Sequence, residues 1–514
     1  MKKKQKKRAY HNSVFYVSSI IVGLLALTGA IFPVRFGEVA QSLFNFTTTN
    51  FGWFYLLAVF IITLFLILLS VSKFGKARLG PQDSRPDFPF FTWIGMLFSA
   101  GFGISLVFWG VAEPMSHYFI SPYPDIEGLT PEAAREAMSY SFFHWGISQW
   151  SVFAIVGLVI AYLQFRKDEK GLVSVAIEPV VGKNKITANT IDSLAVIATV
   201  MGVATSLGLG IMQLNGGLTA VAGIPSSTWV QIAIAVVMLI AYLASSSTGL
   251  NKGIKWLSNL NLGIALVLMV FVFIAGPTVF ILDTFVLALG DYISNFLQYS
   301  LRMTPYTDET WVHDWTIFYW AWAIAWSPFV GAFVARVSRG RTIREFVFGV
   351  LIVPPAIACL WIATFGGTAL YSDLFNGTEI AQAVNADVTV ALFETFEVLP
   401  LTTILSLLSI LLIFTFLVTS ADSATYILGS MTSKGSLNPS LMVKVIWGIL
   451  ITAIAVVLLV AGGLEALQTA SLTSALPFTV ILMVMVLSIW KLLTRDYKRY
   501  KAKKKEAEKK AAEG

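Results

Sequence analysis

The sequence predicts an all-α polytopic membrane protein with twelve transmembrane helices, and three features support this fold class. The chain of 514 residues is 56% hydrophobic and only 13% charged, whereas an average soluble domain is about 25% charged. Apolar runs long enough to cross a bilayer recur along the whole chain. The basic residues are distributed among the intervening segments as a membrane topology requires.

The apolar runs give the number of spans, because about 20 residues at about 1.5 Å rise per residue cross the hydrocarbon core. These spans follow a basic N-terminus at residues 1–12, form a core at 13–490 and precede a basic tail at 491–514. The first run is interpreted as a retained helix, because it lacks a small-residue cleavage site of the kind that ends a signal peptide. The twelve runs are roughly 13–35, 52–73, 91–112, 140–164, 192–213, 227–246, 257–281, 315–335, 345–369, 399–430, 441–463 and 468–490.

The positions of Lys and Arg indicate the orientation of the chain in the membrane. With a cytoplasmic N-terminus and twelve spans, all but three of the 36 basic residues fall on the cytoplasmic side. The exceptions are Arg35, Arg135 and Arg302. This pattern satisfies the positive-inside rule and predicts that both termini are cytoplasmic in a cell (inner) membrane. The net charge of +7 is then explained by topology, and no nucleic-acid partner is expected.

Other classes of protein are not favoured by the sequence. It contains no GxxxxGK[ST] phosphate loop, which argues against an ATP-driven pump. Its four histidines are scattered and Cys359 is the single cysteine, so neither a catalytic metal motif nor a disulfide scaffold is predicted. No carbonyl filter or charged ring of a channel is recognisable. We therefore expect no enzyme activity and no organic cofactor.

Two predicted spans carry residues that interrupt helices. The eighth contains Ser327-Pro328 and Gly331, and it begins five spans after the third. This arrangement predicts two inverted repeats of five helices, at residues 91–281 and 315–490, with a site beside the interrupted helices. The alternative is that the glycines allow close helix packing. The third span has four glycines, Gly95, Gly101, Gly103 and Gly110.

Aromatic residues run into the fourth and eighth spans, beyond the ends where an interfacial belt would lie. Tryptophan faces bind a quaternary ammonium group by cation–π attraction, which needs no carboxylate. The sequence thus favours an aromatic cage, with belt and packing roles as the alternative. The residues concerned are Trp145, Trp150 and Phe153 in the fourth span, and Trp320, Trp322 and Trp326 in the eighth.

Four segments resemble signature motifs of the betaine/choline/carnitine transporter (BCCT) family. They are FTWIGMLFSAGFGISLVFWGVAEP at 91–114, HWGISQW at 144–150, WTIFYWAWAIAWSPFVGAFVARVSRGRTIR at 315–344 and TSADSAT at 419–425. The resemblance extends from about residue 13 to 490 and is greatest to Gram-positive glycine-betaine transporters. It implies twelve spans, of which the last ten form LeuT-type inverted repeats (spans 3–7 and 8–12), and frequent assembly as homotrimers.

The resemblance also implies a set of solute-binding residues. Phe153 stands where a tyrosine is usual in the family, and Ala323 stands where a tryptophan is usual. Ser105 replaces a glycine common among betaine carriers, and it is interpreted either as a hydrogen-bond donor to a solute carboxylate or as filler. These changes would suit a differently shaped solute such as ectoine. The implied solute-binding residues are Ser105, Trp145, Trp150, Phe153, Trp322, Ala323 and Trp326.

A sodium site is implied where the third span meets the tenth. Oxygen ligands suit Na⁺, which is a hard cation. The alternative for the hydroxyl groups is hydrogen bonding to their own helix. A further family site is doubtful here, because only Thr199 of its hydroxyl pair is present, with Val203 in the second position and Thr205 nearby. The implied ligands are the carbonyls of Ser99, Phe102 and Phe416 and the hydroxyls of Thr419 and Ser420.

These features together predict a secondary active importer of a compatible solute for osmoprotection. The expected solute is glycine betaine or a related zwitterion, carried in symport with Na⁺ by alternating access. The alternatives are an importer that prefers ectoine or hydroxyectoine, and a sodium-independent exchanger or proton symporter. Anionic lipid is a candidate partner of the basic tail.

Overall fold

The structure is a computed structural model that describes residues 12–101, 103–248, 253–307, 309–436 and 438–513. Nearly all of these residues lie in helices, as the long apolar runs predict. The helices of the first part of the chain are Ser13–Ile31 (α1), Pro33–Val71 (α2), Phe90–Gly101 (α3), Ile104–Phe119 (α4), Pro131–Trp145 (α5), Ile147–Ala161 (α6), Val173–Val181 (α7), Lys185–Ala222 (α8), Thr228–Thr248 (α9), Gly253–Ala275 (α10), Thr278–Ser294 (α11) and Phe296–Leu301 (α12).

The second part of the chain is also helical. Short π-helical turns at Tyr162–Arg166, His313–Ile317 and Ser372–Asn376 extend longer helices. The remaining helices are Phe318–Val337 (α13), Ile343–Tyr371 (α14), Ile380–Ala386 (α15), Ala391–Glu397 (α16), Thr402–Thr432 (α17) and Leu441–Glu513 (α18).

Apolar stripes on the outer helices face away from the rest of the protein. On α1 the side chains of Ile20, Leu24, Leu27 and Ile31 are all more than half exposed, and their spacing places them on one face of the helix. Val267, Val270 and Ile274 form a similar stripe on α10. Water would disfavour such surfaces, whereas lipid would cover them. The protein is therefore a multi-pass membrane protein.

Ten helices within the described residues are long and apolar enough to cross a bilayer. The predicted third span consists of two shorter helices, α3 and α4. The predicted eleventh and twelfth spans lie in the single element α18, which is divided by non-helical backbone at Gly462 and Gly463. The all-α membrane fold is thus confirmed, while the count of twelve and the inverted-repeat relation stay predictions.

The prediction of an interruption in the eighth span is wrong. Helix α13 continues through Pro328 without a break. A proline removes the N–H that would bond to the carbonyl four residues earlier, here that of Ile324. The hydroxyl of Ser327 donates to the Ile324 oxygen at 2.8 Å instead. Gly331 has the packing role, because a Cβ added there would lie 3.1 Å from the backbone nitrogen of Gly157.

The fourth span, by contrast, has an interruption that the sequence analysis did not predict. α5 ends at Trp145, α6 begins at Ile147, and Gly146 between them has a non-helical ψ of −156°. The hydroxyl of Tyr292 accepts a hydrogen bond from the Ile147 backbone N–H at 3.0 Å. It thereby satisfies one of the unpaired groups at the start of α6.

Candidate solute and cation sites

A cavity lies at the interruption of the third span. α3 ends at Gly101 and α4 begins at Ile104, with Gly103 in an extended conformation (φ −137°, ψ 171°). Gly103, Ser105 and Leu106 line the cavity, so the N-terminus of α4 opens onto it. The first N–H groups of a helix have no intrahelical partner and carry partial positive charge. The cavity therefore presents hydrogen-bond donors to an anionic group.

The structure brings all seven residues that the family resemblance implies for the solute together around this cavity. Gly103, Leu106 and Gln149 complete the lining. The cavity has a volume of about 30 Å³, which holds about two water molecules, so a bound solute would require its walls to move apart. Solute binding by these residues stays a prediction. The seven are Ser105, Trp145, Trp150, Phe153, Trp322, Ala323 and Trp326.

The rings of the cavity come from different helices and meet edge to face. Trp150 and Phe153 on α6 have ring centroids 5.3 Å apart at 86°. Trp145 at the end of α5 and Trp322 on α13 have centroids 6.4 Å apart at 88°. Ala323 presents only a methyl group to the same cavity, whereas its neighbour Trp322 presents an indole ring.

Four buried polar atoms around the cavity have no hydrogen-bond partner in the described part of the chain. Buried polar groups nearly always have a partner, so these atoms are available to a bound molecule or water. Gln149 lies within the HWGISQW motif but was not predicted as a site residue. The four atoms are Ser105 Oγ, Gln149 Oε1, Trp322 Nε1 and Trp326 Nε1.

Trp320 does not belong to the cavity lining. Its ring packs against Phe143, with centroids 5.2 Å apart, and against His144 at 6.0 Å. For this tryptophan the packing alternative is therefore correct.

A second feature missed from the sequence is the buried carboxylate of Glu113 on α4. Glu113 stands just beyond the predicted third span, yet its side chain is fully buried. Its oxygens accept hydrogen bonds from Trp145 Nε1 at 2.8 Å and from the Tyr319 hydroxyl. They also lie 2.6 Å from His144 Nδ1 and 3.3 Å from His117 Nε2. A buried charge needs such partners, and all of them are distant in sequence except His117.

Glu113, His117 and His144 could in principle hold a metal ion, since one ligand atom from each lies within 4.8 Å of the others. Zinc bonds to such atoms measure about 2.0–2.2 Å, and tetrahedral ligands are then roughly 3.4 Å apart. The 2.6 Å distance between Glu113 Oε1 and His144 Nδ1 is too short for that spacing. It fits a direct hydrogen bond between a carboxylate and an imidazole.

At the predicted cation site, Thr419 on α17 makes three contacts. Its hydroxyl is 3.1 Å from the carbonyl oxygen of Thr415 and 3.0 Å from that of Phe416. The side-chain amide of Asn261 on α10 donates to the same hydroxyl at 3.2 Å. Asn261 is buried, and its Oδ1 has no hydrogen-bond partner among the described residues. Ser420, the other predicted hydroxyl, follows on the same helix and is half-buried.

The third-span half of the cation site is only partly within the described residues. Ser99 lies in α3, whereas Phe102 lies outside the described residues. The sodium assignment therefore stays a prediction.

At the incomplete second cation site, the two threonine hydroxyl groups are hydrogen-bonded to protein groups. The hydroxyl of Thr199 donates to the carbonyl of Ala195 in its own helix at 2.7 Å. Thr205 is hydrogen-bonded to Leu467 and Ser471 on α18, both at 2.8 Å. The Thr205 contacts link α8 to α18, and both hydroxyl groups have partners within the protein.

A helical bundle with apolar outer stripes and an aromatic-lined cavity beside an interrupted helix has the architecture of a membrane transporter. The model of one such family, described as BCCT, betaine/carnitine/choline family transporter, matches residues 13–498. The chain therefore belongs to the betaine/carnitine/choline transporter family, as its motifs predicted, and is a transporter rather than an enzyme.

Relatives with assigned functions match almost the whole chain. An ectoine/hydroxyectoine transporter of Virgibacillus pantothenticus is 70% identical over 493 residues, covering 96% of this chain and 98% of that protein. The glycine betaine transporter OpuD of Bacillus subtilis is 46% identical over 498 residues, covering 96% of each chain. A probable glycine betaine transporter of Desulfitobacterium hafniense is 47% identical over 492 residues, covering 95% of this chain and 98% of that one.

Proposed function

We propose that this protein is a secondary active importer of a zwitterionic compatible solute, driven by Na⁺ and serving osmoprotection. The observation that carries the proposal is the cavity at the start of α4, where aromatic faces and unpartnered polar groups surround one small space. The relatives named for ectoine and for glycine betaine support this class of solute.

The two ends of such a solute match different parts of the cavity. Its cationic part would lie against the faces of Trp145, Trp150 and Trp322, where cation–π attraction contributes roughly 0.5–2 kcal/mol per ring. Its carboxylate would face the N–H groups at the start of α4 and the hydroxyl of Ser105. Both charges are thus stabilised without a charged side chain in the lining.

Within this class we favour ectoine or hydroxyectoine over glycine betaine as the preferred solute. The methyl group of Ala323 leaves room for a ring-shaped solute that a tryptophan would exclude. The relative that transports ectoine also shows the highest identity among those described above. Glycine betaine remains the alternative solute, supported by the relatives named for it.

The proposed coupling places Na⁺ between the third span and α17. Thr419 and Ser420 would supply hydroxyl oxygens and Phe416 a carbonyl oxygen, with carbonyls of Ser99 and Phe102 completing the set. Sodium would then join α17 to the interrupted third span, which also carries the solute cavity. Binding of the ion would favour the geometry that binds solute, and movement of one group of helices would release both inward.

The test is uptake of radiolabelled ectoine and glycine betaine by the purified protein in liposomes, with an inward Na⁺ gradient or with K⁺ replacing Na⁺. We expect saturable uptake of ectoine that requires the Na⁺ gradient, with weaker uptake of betaine. Uptake that ignores Na⁺ but follows a proton gradient or an internal solute would replace Na⁺ symport by proton symport or exchange. Absence of uptake for both solutes would contradict the proposed function.

We further propose that the protein is a homotrimer in the cell membrane with cytoplasmic termini, and that its basic tail contacts anionic lipid. The family resemblance supports the trimer, and the distribution of basic residues supports the orientation. Mass photometry in lipid nanodiscs, with and without anionic lipid, would measure the oligomeric state. A monomeric mass in both lipids would contradict the trimer.

A further inference from the structure

The carboxylate of Glu113 joins three elements beside the solute cavity. It projects from α4 and receives hydrogen bonds from Trp145 at the end of α5 and from Tyr319 on α13. His144 on α5 approaches its other oxygen at 2.6 Å, and the second ring nitrogen of His144 bonds to Thr316 at 2.9 Å. The carboxylate is therefore held on both sides by groups that are themselves fully or almost fully buried.

The two oxygens of Glu113 have separate partners. Oε2 receives the indole N–H of Trp145 and the hydroxyl of Tyr319, whereas Oε1 faces the imidazoles of His144 and His117. Hydrogen bonds to a charged group are shorter and stronger than neutral ones. Of these four groups, His144, Trp145 and Tyr319 are hydrogen-bonded to the carboxylate, and few other orientations would keep all three bonds, so its direction is fixed.

Trp145 is distinguished from the other tryptophans of the cavity by this contact. Its indole N–H is hydrogen-bonded, whereas Trp322 Nε1 and Trp326 Nε1 lack partners within the described residues. A ring with one edge anchored keeps its face directed towards the cavity when the solute is absent. A pre-oriented ring lowers the entropy that solute binding must remove.

We propose that Glu113 is a positioning residue for solute recognition, which sets the orientation of the Trp145 ring through the bond to its indole N–H. The inference rests on the proposed function, because it assigns Trp145 to the solute site. Glu113 itself does not line the cavity, and its effect on the solute passes through Trp145.

The test compares solute affinity and maximal rate in a double-mutant cycle. Glu113→Gln and Trp145→Phe are each expected to raise the KM for the transported solute about tenfold, the scale of one hydrogen bond to a charged group. The variant carrying both changes should have a KM close to that of Trp145→Phe alone, because the same bond is lost in each case. A purely structural defect would lower the maximal rate per membrane and leave KM unchanged.

Two control variants make the cycle specific. Trp150→Phe replaces an indole that is not a hydrogen-bond partner of Glu113 with a smaller phenyl ring. The fold change in KM of the double variant with Glu113→Gln should therefore be the product of the two single fold changes. Glu136→Gln changes a partly buried carboxylate on α5 that accepts a hydrogen bond from the Tyr299 hydroxyl at 3.2 Å and does not line the cavity. This variant should keep the wild-type KM.

Several outcomes would overturn the inference. An unchanged KM in folded Glu113→Gln protein would do so, as would multiplying effects of Glu113→Gln and Trp145→Phe. If Glu113→Gln does not fold, Trp145→Phe with a wild-type KM would have the same meaning. Wild-type protein that transports neither solute would instead contradict the proposed function, and this distinguishes the two failures.

Discussion

Residue 323 contributes a methyl group to a cavity whose lining includes five aromatic side chains. Ala323 follows Trp322 on α13 and is almost fully buried, so a larger side chain there would extend into the solute space. Under the proposed function, the size of this one side chain would limit the shape of the solute that fits.

We expect Ala323→Trp to raise the KM for ectoine by about tenfold or more, because overpacking costs roughly 1–3 kcal/mol. The KM for glycine betaine should fall or stay constant, since the added face supplies cation–π attraction. Competition uptake of the two labelled solutes measures the ratio. Ala323→Ser, which scarcely changes the volume, is the control and should preserve the wild-type ratio. Equal effects of Ala323→Trp on both solutes would count against this role.

The hydroxyl of Thr419 offers a similarly local test of the cation site. Thr419→Val keeps the shape of the side chain and removes the oxygen, so the Na⁺ concentration for half-maximal uptake should rise on the order of tenfold. Thr415→Val is a matched control one turn earlier on α17, where the hydroxyl bonds to the Leu411 carbonyl at 2.7 Å. That variant should keep the wild-type Na⁺ dependence. A shift of equal size in both variants would show that Thr419 acts on the helix and not on the ion.

The sequence predicted the aromatic residues of the cavity but not Glu113 or Gln149. Tryptophans in the middle of a span are unusual, and the match to the family motifs assigned each of them to a position of the solute site. Glu113 stands near a predicted span end, where a carboxylate would ordinarily meet water. Its burial depends on Trp145, His144 and Tyr319 from other helices, and such long-range contacts leave no pattern in the local sequence.

At the level of helices, the interruptions decide where the cavity forms. Four glycines in the third span predicted its break correctly, because each weakens the helix by about 1 kcal/mol. In the eighth span, a proline suggested a break that the adjacent serine hydroxyl prevents. In the fourth span a single glycine gave no signal, although Tyr292 from α11 stabilises the break there. Whether a helix breaks thus depends on which groups can replace its lost hydrogen bonds.

We expect Gly146→Ala to lower the free energy of unfolding by about 1–3 kcal/mol, the usual range for overpacking. A Cβ at this position would lie 2.3 Å from the Tyr292 hydroxyl and 2.7 Å from the carbonyl of Phe142. Gly290→Ala on α11 is the control, because a Cβ there meets nothing within 4 Å, and helix propensity favours alanine by roughly 0.5–1 kcal/mol. Thermal unfolding in detergent compares the two. Equal melting temperatures would contradict the tight packing at Gly146.

On the scale of the whole molecule, the C-terminal part of α18 is hydrogen-bonded to the segment that directly follows α6. Asp496 on α18 accepts hydrogen bonds from the Tyr162 hydroxyl at 2.5 Å and from Lys167 Nζ at 2.7 Å. These contacts join α18 to the π-helical turn after α6. Asp496 lies within the basic tail at 491–514, so these contacts hold the start of that tail against the turn after α6.

We expect Asp496→Asn to increase tryptic cleavage of the tail about two- to fivefold, the scale of a partly exposed ion pair. Cleavage should occur in inside-out membrane vesicles and not in right-side-out vesicles. Tyr500→Phe, at an exposed position further along α18, is the control and should behave as wild type. Cleavage from right-side-out vesicles would contradict the proposed orientation of the termini.

The break at Gly146 also has a consequence for affinity. Trp145 ends one rigid helix and Trp150 belongs to the next, so two walls of the cavity stand on opposite sides of a joint. A small change of angle at this joint would move one ring relative to the other without any change of side-chain rotamer. The affinity of the cavity for a solute would then depend on the relative orientation of the helices, and release would need no separate gate at the cavity.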